Sequence, residues 1–366
     1  MCPAPSFLVS KPVSINVLRP EVLAMSAYHV ADARNYIKLD AMENPYSWPD
    51  DVQQAWLTHL KSCPLNRYPD PAATELTAAL RDSNAIPDDV GLLLGNGSDE
   101  IIQILLMALP PDASVLAPEP GFVMYRQIAR SLGLRYRGVP LLPDSFDLDL
   151  PAMLDAIETE RPSLIFLAYP NNPTGNLFDA AAMQRILTAA PGLVVVDEAY
   201  APFADASFLG QLARYPNLLV MRTVSKLGLA GLRLGFLVGD PVLLAQLDKV
   251  RLPYNINCLT QSTATFVLRN PQFLYEQIGW IREQRTEVMT ALMALDGIAT
   301  YPSSANFILF RVLSKSADEV FAALKQQGVL VKNVSPQGGV LQGCLRVTIG
   351  RPTENLAFLN ALRHAL

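Results

Sequence analysis

The sequence predicts an α/β fold in which helices cover both faces of a mostly parallel sheet, accompanied by a smaller α+β domain. Three observations support this prediction. The chain has 366 residues, which exceeds the length of one small module. Between about residues 88 and 239, short apolar runs alternate with longer helical stretches. These runs are apolar throughout, as expected for strands that are buried on both faces of a sheet.

Six runs in this region are candidate strands, and each of them ends in a turn or a polar cluster. Functional groups collect at the carboxyl ends of parallel strands, so these clusters form the candidate site. They are GNGS, PEPGF, YPNNPTG, DEAY, TVSK and GD. The strands are predicted over residues 91–94, 114–117, 164–168, 193–196, 218–222 and 234–238.

The pattern changes after about Pro253, where helices and short strands follow one another without a regular alternation. Such a pattern is typical of an α+β domain. Helices are predicted over 260–269, 274–295 and 316–327, and strands over 307–311, 329–332 and 345–349. We predict three parts: an N-terminal arm (1–40) that joins the small domain, a large domain (41–253) that carries the candidate site, and a small C-terminal domain (254–366).

Composition excludes several classes of function. The chain has 29 Lys and Arg against 34 Asp and Glu and contains no basic block, which argues against nucleic-acid binding. Its most apolar stretch, residues 101–109, is far shorter than the ~20 residues of a spanning helix, and prolines interrupt the N-terminus where a signal peptide would be apolar. We therefore expect a cytoplasmic protein. Four scattered cysteines and three histidines without ligand spacing predict no metal site and no disulfide framework.

The segment GNGSDE, residues 95–100, follows a predicted strand and begins an apolar helix. Its glycines allow a ligand to approach the backbone, and Ser98 is suited to cap the helix. The N–H groups and the dipole at a helix N-terminus favour a phosphate. The segment lacks the GK[ST] of a P-loop, and by itself it is equally typical of an ordinary strand–turn–helix junction.

Three further motifs also have ordinary interpretations when each is taken alone. YPNNPTG (169–175) is a proline-rich turn, DEAY (197–200) could cap a helix, and the lysine of TVSKLGLAGLR (223–233) could be a solvated surface group. However, a carboxylate that follows the apolar run LVVV needs a cationic partner. A lysine kept among apolar residues has a lowered pKa and becomes a usable amine.

Taken together, the motifs supply the groups that pyridoxal phosphate requires. Lys226 provides the amine for the Schiff base, and Asp197 provides a carboxylate that keeps the pyridine nitrogen protonated. Asn172 and Tyr200 are candidate donors to the phenolate oxygen, and Phe122 offers an aromatic face to the ring. The predicted phosphate cradle comprises Gly97, Ser98 and Asp99 at the helix N-terminus, the Ser225 hydroxyl and the Arg233 guanidinium.

This ordered set, NPTG, DEAY, SK and GLR, resembles the fold-type I pyridoxal-phosphate-dependent aminotransferases. More narrowly, LDAMENPY (39–46), NRYPDP (66–71), PGFVMY (120–125), RTVSKLGLAGLRLGF (222–236) and CLRVTIG (344–350) are similar to the histidinol-phosphate aminotransferase family. The resemblance extends over nearly the whole chain from about residue 21. It implies a homodimer that transfers an amino group between L-histidinol phosphate and 2-oxoglutarate in histidine biosynthesis.

The resemblance also implies roles for residues that match the family motifs. Tyr68 of NRYPDP would reach the cofactor phosphate bound in the other subunit. Arg346 of CLRVTIG would bind the carboxylate of glutamate and the phosphate of histidinol phosphate. Lys332, Tyr28 and Asn44 match positions near the substrate. For the residues predicted to contact the pyridine ring and the cofactor phosphate, the resemblance implies the same roles as the chemistry of the motifs.

Three features depart from the family pattern. Arg233 follows Lys226 by seven residues, one fewer than in the commoner form. Lys332 stands where many members have a second substrate-binding arginine, and a lysine offers a point charge instead of a bidentate fork. The first ~15 residues match nothing and are expected to form a flexible arm.

The favoured mechanism is ping-pong, with Lys226 carrying a proton between carbon atoms. Three alternatives remain open: an aminotransferase of the same fold acting on aromatic or other amino acids, a phosphothreonine decarboxylase-like enzyme, and a silent regulatory domain that only binds the cofactor. The presence of Lys226, Asp197 and Tyr200 together argues against the last of these.

Overall fold

The structure is a computed structural model that describes residues 17–27 and 31–366. Its strands are β1 (Ile37–Lys38), β2 (Gly91–Gly95), β3 (Ser114–Glu119), β4 (Arg135–Pro140), β5 (Leu164–Ala168), β6 (Leu193–Asp197), β7 (Leu218–Thr223), β8 (Gly235–Gly239), β9 (Ile298–Thr300), β10 (Phe307–Val312), β11 (Val329–Leu330), β12 (Lys332–Asn333) and β13 (Cys344–Thr348). Its helices are α1 (Pro20–Leu23), α2 (Asp50–Leu60), α3 (Thr74–Asn84), α4 (Ser98–Met107), α5 (Val123–Ser131), α6 (Leu150–Glu160), α7 (Ala180–Ala189), α8 (Pro241–Leu247), α9 (Cys258–Arg269), α10 (Gln272–Met293), α11 (Ala317–Gln326) and α12 (Pro352–Ala365).

The larger sheet has seven strands in the order β2-β8-β7-β6-β5-β3-β4, and only β8 runs antiparallel to its neighbours. The predicted mostly parallel sheet and its six strands are confirmed. The prediction missed β4, because this edge strand, RYRGVP, is largely polar. The GD cluster was wrongly grouped with the others. It follows the antiparallel β8 and therefore lies with the amino ends of the parallel strands, on the side of the sheet opposite to the other clusters.

Helices cover both faces of this sheet, as the continuous apolar strands predict. Successive residues of β5 point to opposite faces, so Ile165 packs with α6 and α7 while Phe166 packs with α4 and α5. Both side chains are fully buried. This packing on two faces fixes the position of each strand end at the edge where the polar clusters lie.

The C-terminal region forms a second, four-stranded sheet in the order β12-β13-β10-β9, which packs with α10, α11 and α12. The strand predicted over 329–332 was wrong as a single element, because the chain divides there into β11 and β12 of two different sheets. β11 pairs in parallel with β1, which joins the N-terminal segment to this region. The domain limits at residues 40 and 253 stay predictions. Among the described helices, none is long and apolar enough to span a bilayer.

Candidate active site

The carboxyl ends of three adjacent parallel strands bring the predicted residues together. Asp197 ends β6, Asn172 lies in the turn after β5, and Lys226 lies in a 3-10 turn directly after β7. One cavity opens at this edge of the sheet. Its lining includes Ser98, Asp99, Phe122, Asn172, Asp197, Tyr200, Ser225, Lys226 and Arg233, together with Met42 from the N-terminal segment.

Asp197 is a buried carboxylate with defined partners on both oxygens. The Tyr125 hydroxyl donates to Oδ2 at 2.5 Å, and the Ala199 backbone N–H donates to Oδ1 at 3.0 Å. Burial raises the pKa of Asp197 to about 6, although both hydrogen bonds oppose this shift by stabilising the ionised form. The group therefore stands at the cavity wall as an anion that a nearby cation would stabilise further.

Lys226 has the environment of a reactive amine. Its Nζ donates to the Ala41 carbonyl oxygen at 3.2 Å and lies 5.9 Å from the ring centre of Tyr200. Burial, followed by the positive charge of Arg346, lowers the pKa of Lys226 to about 8. A larger fraction of this amine is therefore neutral near pH 7 than for an exposed lysine.

A hydrogen-bonded chain connects the ring-oxygen candidates to the substrate candidate Arg346. Asn172 donates through Nδ2 to the Tyr200 hydroxyl at 3.1 Å and accepts a bond at Oδ1 from Arg346. The other terminal nitrogen of Arg346 donates to the Asp40 carbonyl at 2.9 Å, and its guanidinium lies over the Phe307 ring at 5.1 Å. Arg346 is only 6% exposed, so its charge is fixed in position beside the cavity.

The phosphate-end candidates meet at the N-terminus of α4. Arg233 forms an ion pair with Asp99 at 3.2 Å and lies 3.5 Å from the Ser225 hydroxyl, so the seven-residue interval still brings it to the predicted cradle. The prediction that Ser98 caps the helix is wrong. Gly97 occupies the cap position at φ 87°, and a Cβ there would lie 2.6 Å from the Arg233 guanidinium.

The remaining predicted substrate residues are distributed differently. Lys332 is the cross-strand partner of Arg346, so both side chains leave the sheet on the same face. Asn44 donates to Gln277 at 2.9 Å and lies beside the Lys226 turn, but it does not line the cavity. Its substrate contact stays a prediction. The prediction for Tyr28 falls outside the described residues.

Tyr68 lies outside the cavity of its own chain. It is 80% exposed, and its ring stacks on Tyr254 with centroids 4.5 Å apart. This position neither places Tyr68 on a phosphate in the same chain nor tests a role in another subunit.

Sequence reasoning missed one residue of the site and one ion pair at the neighbouring strand ends. No role was given to Tyr125, although it follows the ring-stacking candidate Phe122 by only three residues and lies in the first turn of α5. Neither was the ion pair between Arg222 and Glu198 foreseen, which joins β7 to the end of β6 at 2.6 Å with Glu198 fully buried. The signal for this pair was a charge at each of two adjacent predicted strand ends.

Comparison with known proteins identifies the family. Residues 34–362 match the model of the class I and II aminotransferases. The chain belongs to this family. It is 56% identical over 347 residues to histidinol-phosphate aminotransferase 2 of Nitrosococcus oceani, covering 94% of this chain and 96% of that protein. It is 50% identical to histidinol-phosphate aminotransferase 2 of Cupriavidus pinatubonensis, covering 96% of both.

The fold of this aminotransferase is also that of solved structures. The histidinol-phosphate aminotransferase of Sinorhizobium meliloti, solved in complex with pyridoxal-5′-phosphate, superimposes with a TM-score of 0.84. The two chains are 23% identical, and the match covers 96% of this chain and 98% of the other. The prediction of a fold-type I aminotransferase is therefore confirmed.

Pyridoxal phosphate is the cofactor of this aminotransferase, and the donor set of the cavity fits it. The buried Asp197 carboxylate suits a protonated ring nitrogen. The Lys226 amine, whose pKa is lowered, suits reaction with the carbonyl carbon of the cofactor. Gly97 keeps a gap in front of the Arg233 guanidinium that any larger residue would fill.

Proposed function

We propose that this aminotransferase transfers the amino group of L-histidinol phosphate to 2-oxoglutarate, as a step of histidine biosynthesis. The observation that carries the substrate assignment is the cross-strand pairing of Lys332 with Arg346, whose guanidinium donates a hydrogen bond to Asn172 of the cofactor cavity. Two adjacent cations suit a phosphate monoester, which carries more negative charge than a carboxylate. The names of the two curated relatives support the same substrate.

Roles at the ring end follow from the observed contacts. When bound, pyridoxal phosphate supplies an electron sink for the carbanion that forms at the substrate Cα. Asp197 stabilises positive charge at the ring nitrogen through its carboxylate, and Asn172 and Tyr200 offer their amide and hydroxyl groups to the ring oxygen. Phe122 lines the cavity and offers its ring as the stacking face.

Lys226 is the proposed proton carrier. Its lowered pKa leaves a larger fraction of Nζ neutral near pH 7 than in an exposed lysine, and the neutral amine can accept a proton from Cα and later return it. The Ala41 carbonyl accepts a hydrogen bond from Nζ and keeps the amine at the edge of the sheet. The same nitrogen is the proposed point of covalent attachment of the cofactor.

We assign the cofactor phosphate to the N-terminus of α4. The backbone N–H groups of Ser98 and Asp99, the Ser225 hydroxyl and the Arg233 guanidinium supply donors and positive charge there. Formation of this contact requires Arg233 to exchange part of its ion pair with Asp99 for the phosphate.

A homodimer is proposed from the surface around Tyr68. The stack of Tyr68 on Tyr254 and the bond from Gln261 of α9 to the Asp70 carbonyl bring residues 65–70 against residues 252–261. Large side chains with apolar surface are exposed in these two segments: Leu65, Tyr68, Leu252, Tyr254 and Leu259. Exposed apolar groups concentrated in one region are typical of a protein–protein interface. The cytoplasmic location stays a prediction from the sequence.

The substrate assignment is tested with a panel of amino donors in the presence of 2-oxoglutarate. Histidinol phosphate is compared with phenylalanine, tyrosine and phosphothreonine, and with L-histidinol as the matched donor that lacks only the phosphate. We expect kcat/KM for histidinol phosphate to exceed that for histidinol by about 100-fold or more, because two charged contacts are lost. A preference for an aromatic donor, carbon dioxide release from phosphothreonine, or no turnover at all would contradict the proposal.

A further inference from the structure

Tyr125 contacts two of the residues that are proposed to hold the cofactor ring. Its hydroxyl donates to Asp197 Oδ2 at 2.5 Å, and its ring stands edge-on to Phe122 with centroids 5.5 Å apart. Tyr125 is 1% exposed. One side chain thus connects the group at the ring nitrogen with the group at the ring face.

The position of the Tyr125 hydroxyl is fixed by packing. The Tyr125 ring stacks on Phe166 of β5, with centroids 4.3 Å apart and planes within 1° of parallel. Phe166 is fully buried in the core between the sheet and α4 and α5. A phenylalanine would make the same ring contacts, so packing alone does not explain the hydroxyl, which would be costly to bury without a partner.

The Tyr125 hydroxyl opposes several features around Asp197 that favour its neutral form. Burial and the negative charges of Asp99 and Glu198 all favour the neutral acid at position 197. The Tyr125 hydroxyl and the Ala199 N–H favour the carboxylate. Burial also raises the pKa of Tyr125 well above its usual range, so the phenol remains a donor throughout the physiological range.

We propose that Tyr125 is a positioning residue that keeps Asp197 ionised and directed at the ring nitrogen of the cofactor. The proposal rests on the proposed function in one respect, since the nitrogen that Asp197 serves belongs to pyridoxal phosphate. Its first part, the control of the charge on Asp197, is a property of the chain alone.

The direct test is the titration of Asp197 in the cofactor-free protein. The carboxyl resonance of Asp197 is followed by carbon NMR and assigned by its disappearance in Asp197→Asn. Tyr125→Phe keeps the ring contacts and removes only the donor, so the titration midpoint should rise by about 1–2 pH units. Tyr136→Phe is the matched control, because this half-buried tyrosine bonds to Glu119 instead and should leave the midpoint unchanged.

A second measurement follows the ring nitrogen in the loaded protein. With nitrogen-labelled cofactor, Tyr125→Phe should shift the resonance towards the unprotonated form, and kcat should fall about 10- to 100-fold with little change in KM. Replacing Tyr125 by 3-fluorotyrosine strengthens the donor and should move the Asp197 midpoint the other way. This variant carries the test if Tyr125→Phe does not fold.

An unchanged Asp197 midpoint in both variants overturns the role of Tyr125. This outcome is separate from a failure of the proposed function, because the titration uses neither substrate nor cofactor. A shifted midpoint in a protein that does not transaminate histidinol phosphate supports Tyr125 and overturns the substrate assignment alone.

Discussion

The two ends of the cofactor cavity differ in how completely one chain builds them. At the ring end, Asp197 and Asn172 are at most 8% exposed and are hydrogen-bonded to neighbouring side chains. At the phosphate end, the side chains of Arg233 and Asp99 are 48% and 42% exposed and form one ion pair with each other. The ring end is thus organised by the fold, whereas the phosphate end is open to a further partner.

The difference follows from the elements that carry these residues. Ring-end groups lie at the ends of β5 and β6, which hold each other in register and are buried on both faces. Phosphate-end groups come from the start of α4 and from the loop before β8, where solvent reaches the side chains. An exposed ion pair contributes little to stability, so its partners can exchange at low cost when a phosphate arrives.

The largest expected effect comes from removing Lys226, which should abolish turnover without abolishing cofactor binding. We expect Lys226→Ala to reduce transamination to background while non-covalent cofactor binding remains, because the phosphate and ring contacts do not depend on the amine. Turnover assays and equilibrium dialysis measure the two effects. Lys249→Ala, which changes an exposed lysine, is the control. Near-normal turnover in Lys226→Ala would overturn its assignment.

Asp197→Asn tests the ring end with the smallest change in shape. We expect turnover to fall by about 1,000-fold or more, with the fold intact by circular dichroism, because the amide cannot stabilise positive charge on the ring nitrogen. The corresponding change at the open end, Asp99→Asn, should act mainly on cofactor affinity. A loss below about tenfold, or ~1.4 kcal/mol, in Asp197→Asn would mean that its role is structural.

The two cations of the substrate pair should differ in effect. Arg346→Ala is expected to weaken both half-reactions by about 100-fold, because the proposed function has glutamate and histidinol phosphate bind the same buried guanidinium. Lys332→Ala should raise KM for histidinol phosphate by about tenfold and affect glutamate less, since the second cation matters most for the phosphate. Separate half-reaction kinetics check this, and equal effects of Lys332→Ala on both substrates would count against it.

The open phosphate end can be tested by mixing two inactive proteins. Tyr68→Ala lacks the proposed contribution to the other subunit, and Lys226→Ala lacks the amine. In a mixed dimer, one of the two sites receives an intact Tyr68 and an intact Lys226. Random assembly makes half of the dimers mixed, so about a quarter of wild-type activity should return on co-refolding.

A strongly impaired Tyr68→Ala that recovers nothing on mixing would disprove the shared site. Each variant refolded alone provides the baseline for this comparison.

The sequence predicted most of the ring end because its residues belong to short motifs at the ends of apolar strands. Lys226, Asp197 and Asn172 could be placed together once the sheet was predicted to be mostly parallel. The contact of Tyr125 with Asp197 could not be predicted, since it depends on how α5 packs against β5.

Long-range pairing limited the rest of the prediction. The reversed direction of β8 and the division of 329–332 between two sheets depend on strand partners that are distant in the chain. The edge strand β4 lacks the apolar pattern of the central strands, because solvent reaches part of it. These are features that local periodicity does not encode.

All the roles assigned to the strand-end cluster depend on its binding pyridoxal phosphate through Lys226. Reduction of the loaded protein with borohydride, followed by peptide mapping with mass spectrometry, tests it most directly. We predict a single modified residue, Lys226, and no modified peptide in Lys226→Ala treated in the same way. Modification of another lysine such as Lys332, or no modification in the wild-type protein, would contradict the account.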